Sequence, residues 1–278
     1  MSKKTNTPTN DSKTIAILGS GNIGGAIAHG FHKSGITAPE NIVVTRRRKS
    51  GLDEFTKLGI RTSTDNKAAV KSADIVIVAV TPKQMDGVLQ EISSFLNPKK
   101  HIILSIVSGA SIEQIKKQIK KDVPVVRVMP NTAIAIQESM TCISGAPGEE
   151  KAVDTAVELF GLLGQTMVIE EKLMVPATAL VACGIAYFLR AVRAASQGGV
   201  EIGFHAEDAL FMAAQTAKGA ASLLLTHGAH PEREVDKVTT PMGSTITGLN
   251  TLEHNGFSSA FIKGIVASAE KAGTLYSK

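Results

Sequence analysis

An α/β domain built on a doubly wound parallel sheet, followed by an all-α domain, is the fold class that this sequence of 278 residues predicts. Two observations predict it. Through the first 170 residues, short β-branched runs alternate with helix-like segments, which is the βαβ rhythm. Beyond Glu170 the strand-like runs vanish, and Ala, Gly and Leu recur at helical spacing.

The candidate strands, in order, are Thr14 to Leu18, Asn41 to Thr45, Asp74 to Val80, Ile102 to Ile106, Val125 to Val128 and Met167 to Ile169. Several are uninterrupted and apolar, as parallel strands covered by helices on both faces are. Ser111 followed by Gln114 forms a capping box for a helix running to Lys120. The later helices span Ala177 to Ala195, Ala206 to Leu225 and Ser258 to Gly273. The expected division is a disordered polar tail over 1–12, a nucleotide-binding domain over 13–171 and a helical domain over 172–278, in keeping with the length.

Composition narrows the function classes. With 43% hydrophobic and 20% charged residues the chain belongs to the soluble globular class. The longest nearly uncharged apolar stretch, Ala177 to Leu189, is shorter than the roughly 18 residues that a bilayer span needs, and reads as a buried helix. The lysines of the N-terminal tail precede no apolar h-region, so a cytoplasmic location and no membrane are expected. The net charge of +5 is spread out and aromatics are only 4%, a poor supply of stacking platforms, so no nucleic-acid partner is expected. Cys142 and Cys183 lack disulfide-framework or metal spacing and read as two buried thiols. His29 with His32, and His227 with His230, lack a fitting third ligand, so metal independence is expected.

Gly19-Ser20-Gly21-Asn22-Ile23-Gly24 fits GxGxxG, directly after Ile15-Ala16-Ile17-Leu18 and opening a helix. In that context Gly19 allows the tight turn, Gly21 lets backbone approach a pyrophosphate, and Gly24 permits close helix packing. The helix N-terminus adds free N–H groups and a positive dipole end. A Rossmann-like dinucleotide site follows. The second strand ends in Thr45-Arg46-Arg47-Arg48, where an NAD enzyme would carry an Asp or Glu. A hydroxyl and arginines suit the 2′-phosphate of NADP instead, so NADPH is the preferred cofactor and NADH a possible one. Ala79-Val80-Thr81-Pro82 and Met129-Pro130-Asn131-Thr132 follow further strands, where ligands of open parallel sheets bind.

In the helical domain, Asp236 to Leu249 packs five hydroxyls around Pro241 and Gly243 and then turns helical. Such a loop leads successive backbone N–H groups and hydroxyls toward a small carboxylate. Ordinary capping of a Thr/Ser-rich helix start is the other reading of the same residues.

VTTPMGSTITGLNTLEHNGF, with RVMPNT at Arg127 to Thr132, AVTPKQ at Ala79 to Gln84 and the GSGNIGGAI opening, resembles pyrroline-5-carboxylate reductase, over essentially Thr14 to Lys271. LSIVSGASIEQI, QTAKGAASLLL and HPEREVDKV support it. The resemblance implies NAD(P)H-dependent reduction of the cyclic imine 1-pyrroline-5-carboxylate to L-proline, the last step of proline biosynthesis. It also implies a Rossmann domain, a helical dimerisation domain, and dimers that often assemble into rings. Substrate binding would fall on Val238, Thr239, Thr240, Met242, Gly243, Ser244 and Thr245, with Thr245 near the imine nitrogen as the catalytic residue. Cofactor binding would fall on Gly19 to Gly24, Asn66, Ala79 to Pro82 and Ile106, Val107 and Ser108. Two departures stand out: Met242-Gly243 replaces a family Gly-Gly, and Val181 to Tyr187 lacks the family's Ser-Gly-Ser-Gly-Pro-Ala-Tyr hydroxyls and proline.

A protonated or hydrogen-bonded imine is already electrophilic, so the protein need only position and polarise. A 3-hydroxyacid dehydrogenase type or another imine reductase is the alternative. The former needs a lysine on the first helix of its second domain, and none lies between Leu173 and Gln197. An NADP-binding redox-sensing regulator is the non-enzymatic alternative, and turnover of a cyclic imine separates it. The apolar C-terminal helices need partners. A homodimer through them is therefore expected by light scattering at micromolar concentration, and a monomer there refutes it.

Overall fold

The computed structural model describes residues 13–226 and 228–276; the expected polar tail of 1–12 and His227 lie outside the described residues. The chain opens with β1 (Ile15–Leu18), α1 (Asn22–Ser34), β2 (Ile42–Thr45), α2 (Asp53–Lys57), β3 (Arg61–Ser63) and α3 (Asn66–Ser72). It continues with β4 (Ile75–Val78), α4 (Pro82–Ser93), β5 (Ile102–Ser105), α5 (Ile112–Ile119) and β6 (Val125–Met129). Then come β7 (Ser139–Gly145), α6 (Glu150–Gly161) and β8 (Gly164–Val168).

These strands form one sheet in the order β3-β2-β1-β4-β5-β6-β7-β8. Neighbours from β3 across to β6 are parallel, β7 runs antiparallel to β6, and β8 runs parallel to β7. The strand order reverses between β1 and β4, so the crevice at their C-terminal ends is where ligands of such sheets bind. Every residue of β1, β2 and β4 is buried. Alternate residues explain it. Ile15 and Ile17 join Phe31, Phe55 and Phe160 on one face, while Ala16 and Leu18 join Met85, Leu89 and Ile115 on the other.

The expected strands are all present, with ends shifted by a residue or more. Two were missed. β3 is a polar edge strand, and β7 interleaves Ser139, Thr141 and Ser144 with apolar residues. Two of its buried hydroxyls pair with each other, Ser139 with Thr141 at 3.2 Å, so polar residues of this strand find partners inside the fold. β7 also makes the sheet parallel-dominated rather than wholly parallel. The capping box forms as expected, with Gln114 N donating to Ser111 Oγ and Ser111 N donating to Gln114 Oε1, and Lys120 closes that helix in the left-handed conformation.

The rest is helical: α7 (Met174–Ala177), a π-helical stretch over Thr178–Cys183, α8 (Gly184–Glu201), α9 (Ala206–Leu224), α10 (Pro231–Val238), α11 (Ser244–His254) and α12 (Phe257–Thr274). The chain divides into two compact units, and Gly184–Ala267 is the second. The first gathers everything before it together with the residues from Ser268 onward. This division falls later than the 171/172 boundary expected from sequence texture.

The expectation of a short buried helix over Ala177 to Leu189 needs correction. The helical run Glu171–Glu201 is 31 residues long, and with a mean hydropathy of 1.7 over its most apolar part it is long and apolar enough to cross a membrane, by length and composition alone. Only part of it is buried within this chain: Thr178, Ala179 and Gly184 are buried, whereas Leu180, Phe188 and Leu189 are exposed, Phe188 by 61%. Hydrophobic periodicity reports that a face wants cover, and says nothing about which molecule supplies it. Cys142 is buried, which pushes its thiol up, whereas Cys183 is only half-buried, contrary to expectation.

Candidate active site

The cofactor half is built where β1 ends. Gly19 takes a φ of +103°, a conformation glycine adopts without steric cost, and a side chain there would strike Ala79 O at 2.6 Å and Val80 at 2.9 Å. A methyl group on Gly24 would overlap the Gly19 carbonyl oxygen. One on Gly21 would meet nothing within 4 Å. Two glycines therefore serve the packing of the chain against itself, and the middle one leaves backbone bare toward open space.

Gly21 caps α1 without any side-chain hydrogen bond, so the first N–H groups of the helix are left to a ligand or water. Ser20 is buried beside them, and its Oγ has no partner among the described residues. An orphaned buried hydroxyl next to a bare helix N-terminus suits a phosphate. Asn22 is exposed, and Ile23 packs against the core.

The neighbouring strand ends converge. Gly19 N donates to Thr45 O, Ala79 N to Leu18 O and Ile106 N to Val78 O, which ties the ends of β2, β1, β4 and β5 together. Val80 is half-buried. Thr81 then caps α4, with Pro82 at its first position and both Thr81 N and Oγ1 donating to Gln84. Val107 is buried and Ser108 half-buried. Asn131 instead caps the 3-10 helix Thr132–Ile136 by accepting from Ala133 N.

Thr45 and Asn66 are brought together in a way the sequence did not indicate. Thr45 is 2% exposed, and its hydroxyl donates to Asn66 Oδ1 at 2.6 Å. Asn66 Nδ2 in turn donates to Glu91 Oε2 at 3.0 Å. A threonine hydroxyl has one proton, and here it is directed at Asn66. Arg46, Arg47 and Arg48 are exposed on the turn that follows.

The hydroxyl-rich segment lies in the second unit. Thr239 Oγ1 donates back to Val235 O at 2.7 Å and Thr247 Oγ1 to Gly243 O at 3.1 Å, which is ordinary helix-end bonding. Among the described residues, no hydrogen bond occupies the hydroxyls of Thr240, Ser244 or Thr245. Gly243 caps α11 with no side-chain bond, so Ser244 and Thr245 stand on an open helix N-terminus. The turn is closed by Gly243 N donating to Thr240 O at 2.9 Å.

Met242 has a φ of +59° and is 101% exposed, as is much of Val238. The side chain sits at a left-handed position that favours glycine, and projects clear of the loop backbone. The π-helical stretch over Thr178–Cys183 covers the segment where the family hydroxyls are missing. Thr178 Oγ1 donates to Met174 O there, one turn back.

Among the described residues no group of three His, Cys, Asp or Glu could hold a metal. His29 Nε2 lies 3.5 Å from Glu54, and His230 caps α10.

Comparison with known proteins bears on the family of the chain. A family model described as pyrroline-5-carboxylate reductase dimerisation matches residues 171–275, and one described as NADP oxidoreductase, coenzyme F420-dependent, matches residues 14–109. Pyrroline-5-carboxylate reductase 2 of Dictyostelium discoideum is 47% identical over 282 residues, covering 96% of this chain and 94% of that protein. The chain belongs to the pyrroline-5-carboxylate reductase family.

Pyrroline-5-carboxylate reductase 1 of the same organism is 51% identical over 276 residues, and the chain spans 50% of its length. Among solved structures, Plasmodium falciparum pyrroline carboxylate reductase with NADP bound is similar with a TM-score of 0.88 and 25% identity, covering 98% of this chain and 100% of that one. The Coxiella burnetii reductase has a TM-score of 0.84 and 27% identity, with 96% of this chain and 100% of that one covered. The family's Rossmann and helical parts correspond to the two element classes seen here.

Gly24 and Gly21 make opposite predictions. Gly24→Ala puts a methyl group into backbone and is expected to lower unfolding free energy by about 1–3 kcal/mol in urea. Gly21→Ala is expected to unfold like wild type yet bind NADPH about tenfold or more weakly by fluorescence titration. Equal NADPH affinity in Gly21→Ala removes this turn from the cofactor site.

Proposed function

We propose that this chain reduces 1-pyrroline-5-carboxylate to L-proline at the expense of NAD(P)H, in the cytoplasm, with no metal. The observation that carries the proposal is the open N-terminus of α11 in a member of this family, where, among the described residues, no hydrogen bond occupies the hydroxyls of Ser244, Thr245 and the preceding Thr240. Bare N–H groups and unspent hydroxyls at a helix start suit a small carboxylate.

The residues present at the β1–α1 turn fit a nicotinamide dinucleotide. Gly21 and the α1 N-terminus would take the pyrophosphate, with the orphaned Ser20 hydroxyl beside it. When bound, the nicotinamide supplies the hydride for the imine carbon. The chain's own task is to orient and polarise the C=N bond. Backbone N–H groups and the hydroxyls of Thr240 and Ser244 hold the carboxylate, which fixes the ring. Thr245 donates a hydrogen bond to the ring nitrogen, and this draws electron density from the carbon that accepts the hydride. The nitrogen gains a proton as the C=N double bond becomes a single bond. A neutral hydroxyl is a weak acid, so orientation comes first and water supplies the proton. Val238, Thr239, Met242 and Gly243 shape this loop.

The exposed arginines after β2 favour NADPH over NADH. With the Thr45 hydroxyl spent on Asn66, the preference rests on Arg46 and Arg47, whose guanidinium groups can pair with a 2′-phosphate. Asn66 and the strand ends at Ala79 to Pro82 and Ile106 to Ser108 complete the cofactor site in this reading. The apolar face of α8 would meet a second copy of the chain rather than lipid, which is supported by the dimerisation model matched over 171–275. Such dimers would assemble further into rings. The division into a nucleotide-binding domain to residue 171 and a substrate and dimerisation domain beyond it belongs to the same reading.

The test is NADPH oxidation with 1-pyrroline-5-carboxylate, run beside NADH and beside oxidation of a 3-hydroxyacid. Proline formation with higher kcat/KM for NADPH than NADH is expected; no turnover of the imine refutes the reaction, and equal or reversed preference refutes the role of the arginines. Thr245→Ala is expected to lose about 10²–10³ in kcat/KM, and a variant with wild-type kcat/KM removes Thr245 from the mechanism.

A further inference from the structure

The C-terminal end of the chain packs on the cofactor half. Tyr276, only 9% exposed, belongs to the core cluster that covers one face of the sheet. Its hydroxyl donates to Asp86 Oδ1 on α4. Beside it, Gly109 has a φ of +83°, and a side chain there would lie 3.0 Å from Ala272 O and 3.3 Å from both Tyr276 N and Cβ. The end of α12 thus rests on the bare backbone of the loop between β5 and α5. Both contacted elements lead directly from cofactor segments: α4 follows Ala79 to Thr81, and Gly109 follows Ile106 to Ser108.

We infer that Tyr276 is a positioning residue for the nicotinamide cofactor: by bonding Asp86 of α4 while its own backbone rests on Gly109, it sets the spacing of the loops that follow β4 and β5. The inference rests on the reading above that these loops hold the cofactor. A buried tyrosine ring packs equally well without its oxygen, so the hydroxyl's contribution is directional and separable from burial. Burial, helped by Asp86, pushes the tyrosine up to about 12, so it remains a donor throughout the range in which a reductase works.

The experiment compares wild type with Tyr276→Phe, Asp86→Ala, Asp86→Asn and the Tyr276→Phe/Asp86→Ala double variant. NADP⁺ binding is read by calorimetry, steady-state kinetics with varied NADPH give KM and kcat, and thermal melts report stability. Tyr276→Phe and Asp86→Ala are each expected to raise Kd for NADP⁺ and KM for NADPH about threefold to tenfold, with kcat at saturation held within about twofold. Asp86→Asn keeps an acceptor and should restore most of the affinity. The double variant should be no weaker than the worse single one. Lower melting temperatures with unchanged Kd would make the hydroxyl merely structural and overturn the inference. Should Tyr276→Phe fail to fold, Asp86→Ala decides on the same readout. A wild-type chain that does not bind NADP⁺ overturns the cofactor reading itself; binding that is indifferent to both substitutions overturns only the role of Tyr276.

Discussion

The close approach of Gly24 to the Gly19 carbonyl is the constraint on which the first unit depends. With no Cβ at Gly24, α1 can begin directly over the end of β1, and with none at Gly19 the turn can lie against Ala79 at the end of β4. Those two strands are the pair at which the sheet order reverses. One crowded crossing therefore closes the core from Ile15 to Phe31 and aims the start of α1 at the crevice. Gly19 and Gly24 meet the packing requirement, while Gly21 of the same motif faces open space.

Around that crossing, polar groups are divided between those spent on the fold and those left over. Thr45, Asn66 and Glu91 form a hydrogen-bonded chain that ties the end of β2 to α3 and α4. Arg127, buried in β6, holds Glu171 at 3.3 Å, and Glu171 also accepts from Ile112 N at the start of α5. Burial lowers the pKa of that arginine while Glu171 opposes the shift, as expected of a charge kept inside by its partner. Among the described residues, the starts of α1 and α11 hold free N–H groups together with the unpartnered hydroxyls of Ser20, Ser244 and Thr245. Imine reduction asks for little more, because the reacting bond is polar and the cofactor holds the reducing electrons.

The second unit has a different economy. Its helices are joined by small residues, as where Gly199 packs so closely on Ala209 that a methyl group there would come within 2.9 Å. An aromatic cluster of Tyr187, Phe188, Phe257 and Phe261 accompanies them. An apolar cavity of about 560 Å³ opens between α8 and α9, lined by Phe188, Val192, Phe204 and Met212. So much apolar surface is characteristic of a face completed by another protein surface, which is the same property that lets Glu171–Glu201 satisfy the length and composition of a membrane span.

The βαβ rhythm, the glycine turn after β1, the capping box at Ser111 and the hydroxyl-rich start of α11 are all legible in the order of the residues. Each is a local property, set by periodicity or by the backbone conformations that a few adjacent residues allow. Only the tertiary structure decided that β7 reverses direction, that Thr45 spends its proton on Asn66, and that Met242 occupies a left-handed position with its side chain outside. It alone brought Tyr276 to Asp86 across 190 residues of chain. β3 and β7 escaped detection because their polar side chains find partners or edges that lie elsewhere in the fold. The exposure of the α8 face was equally hidden. A sequence records which groups need a partner, and the folded chain decides which partner each one gets.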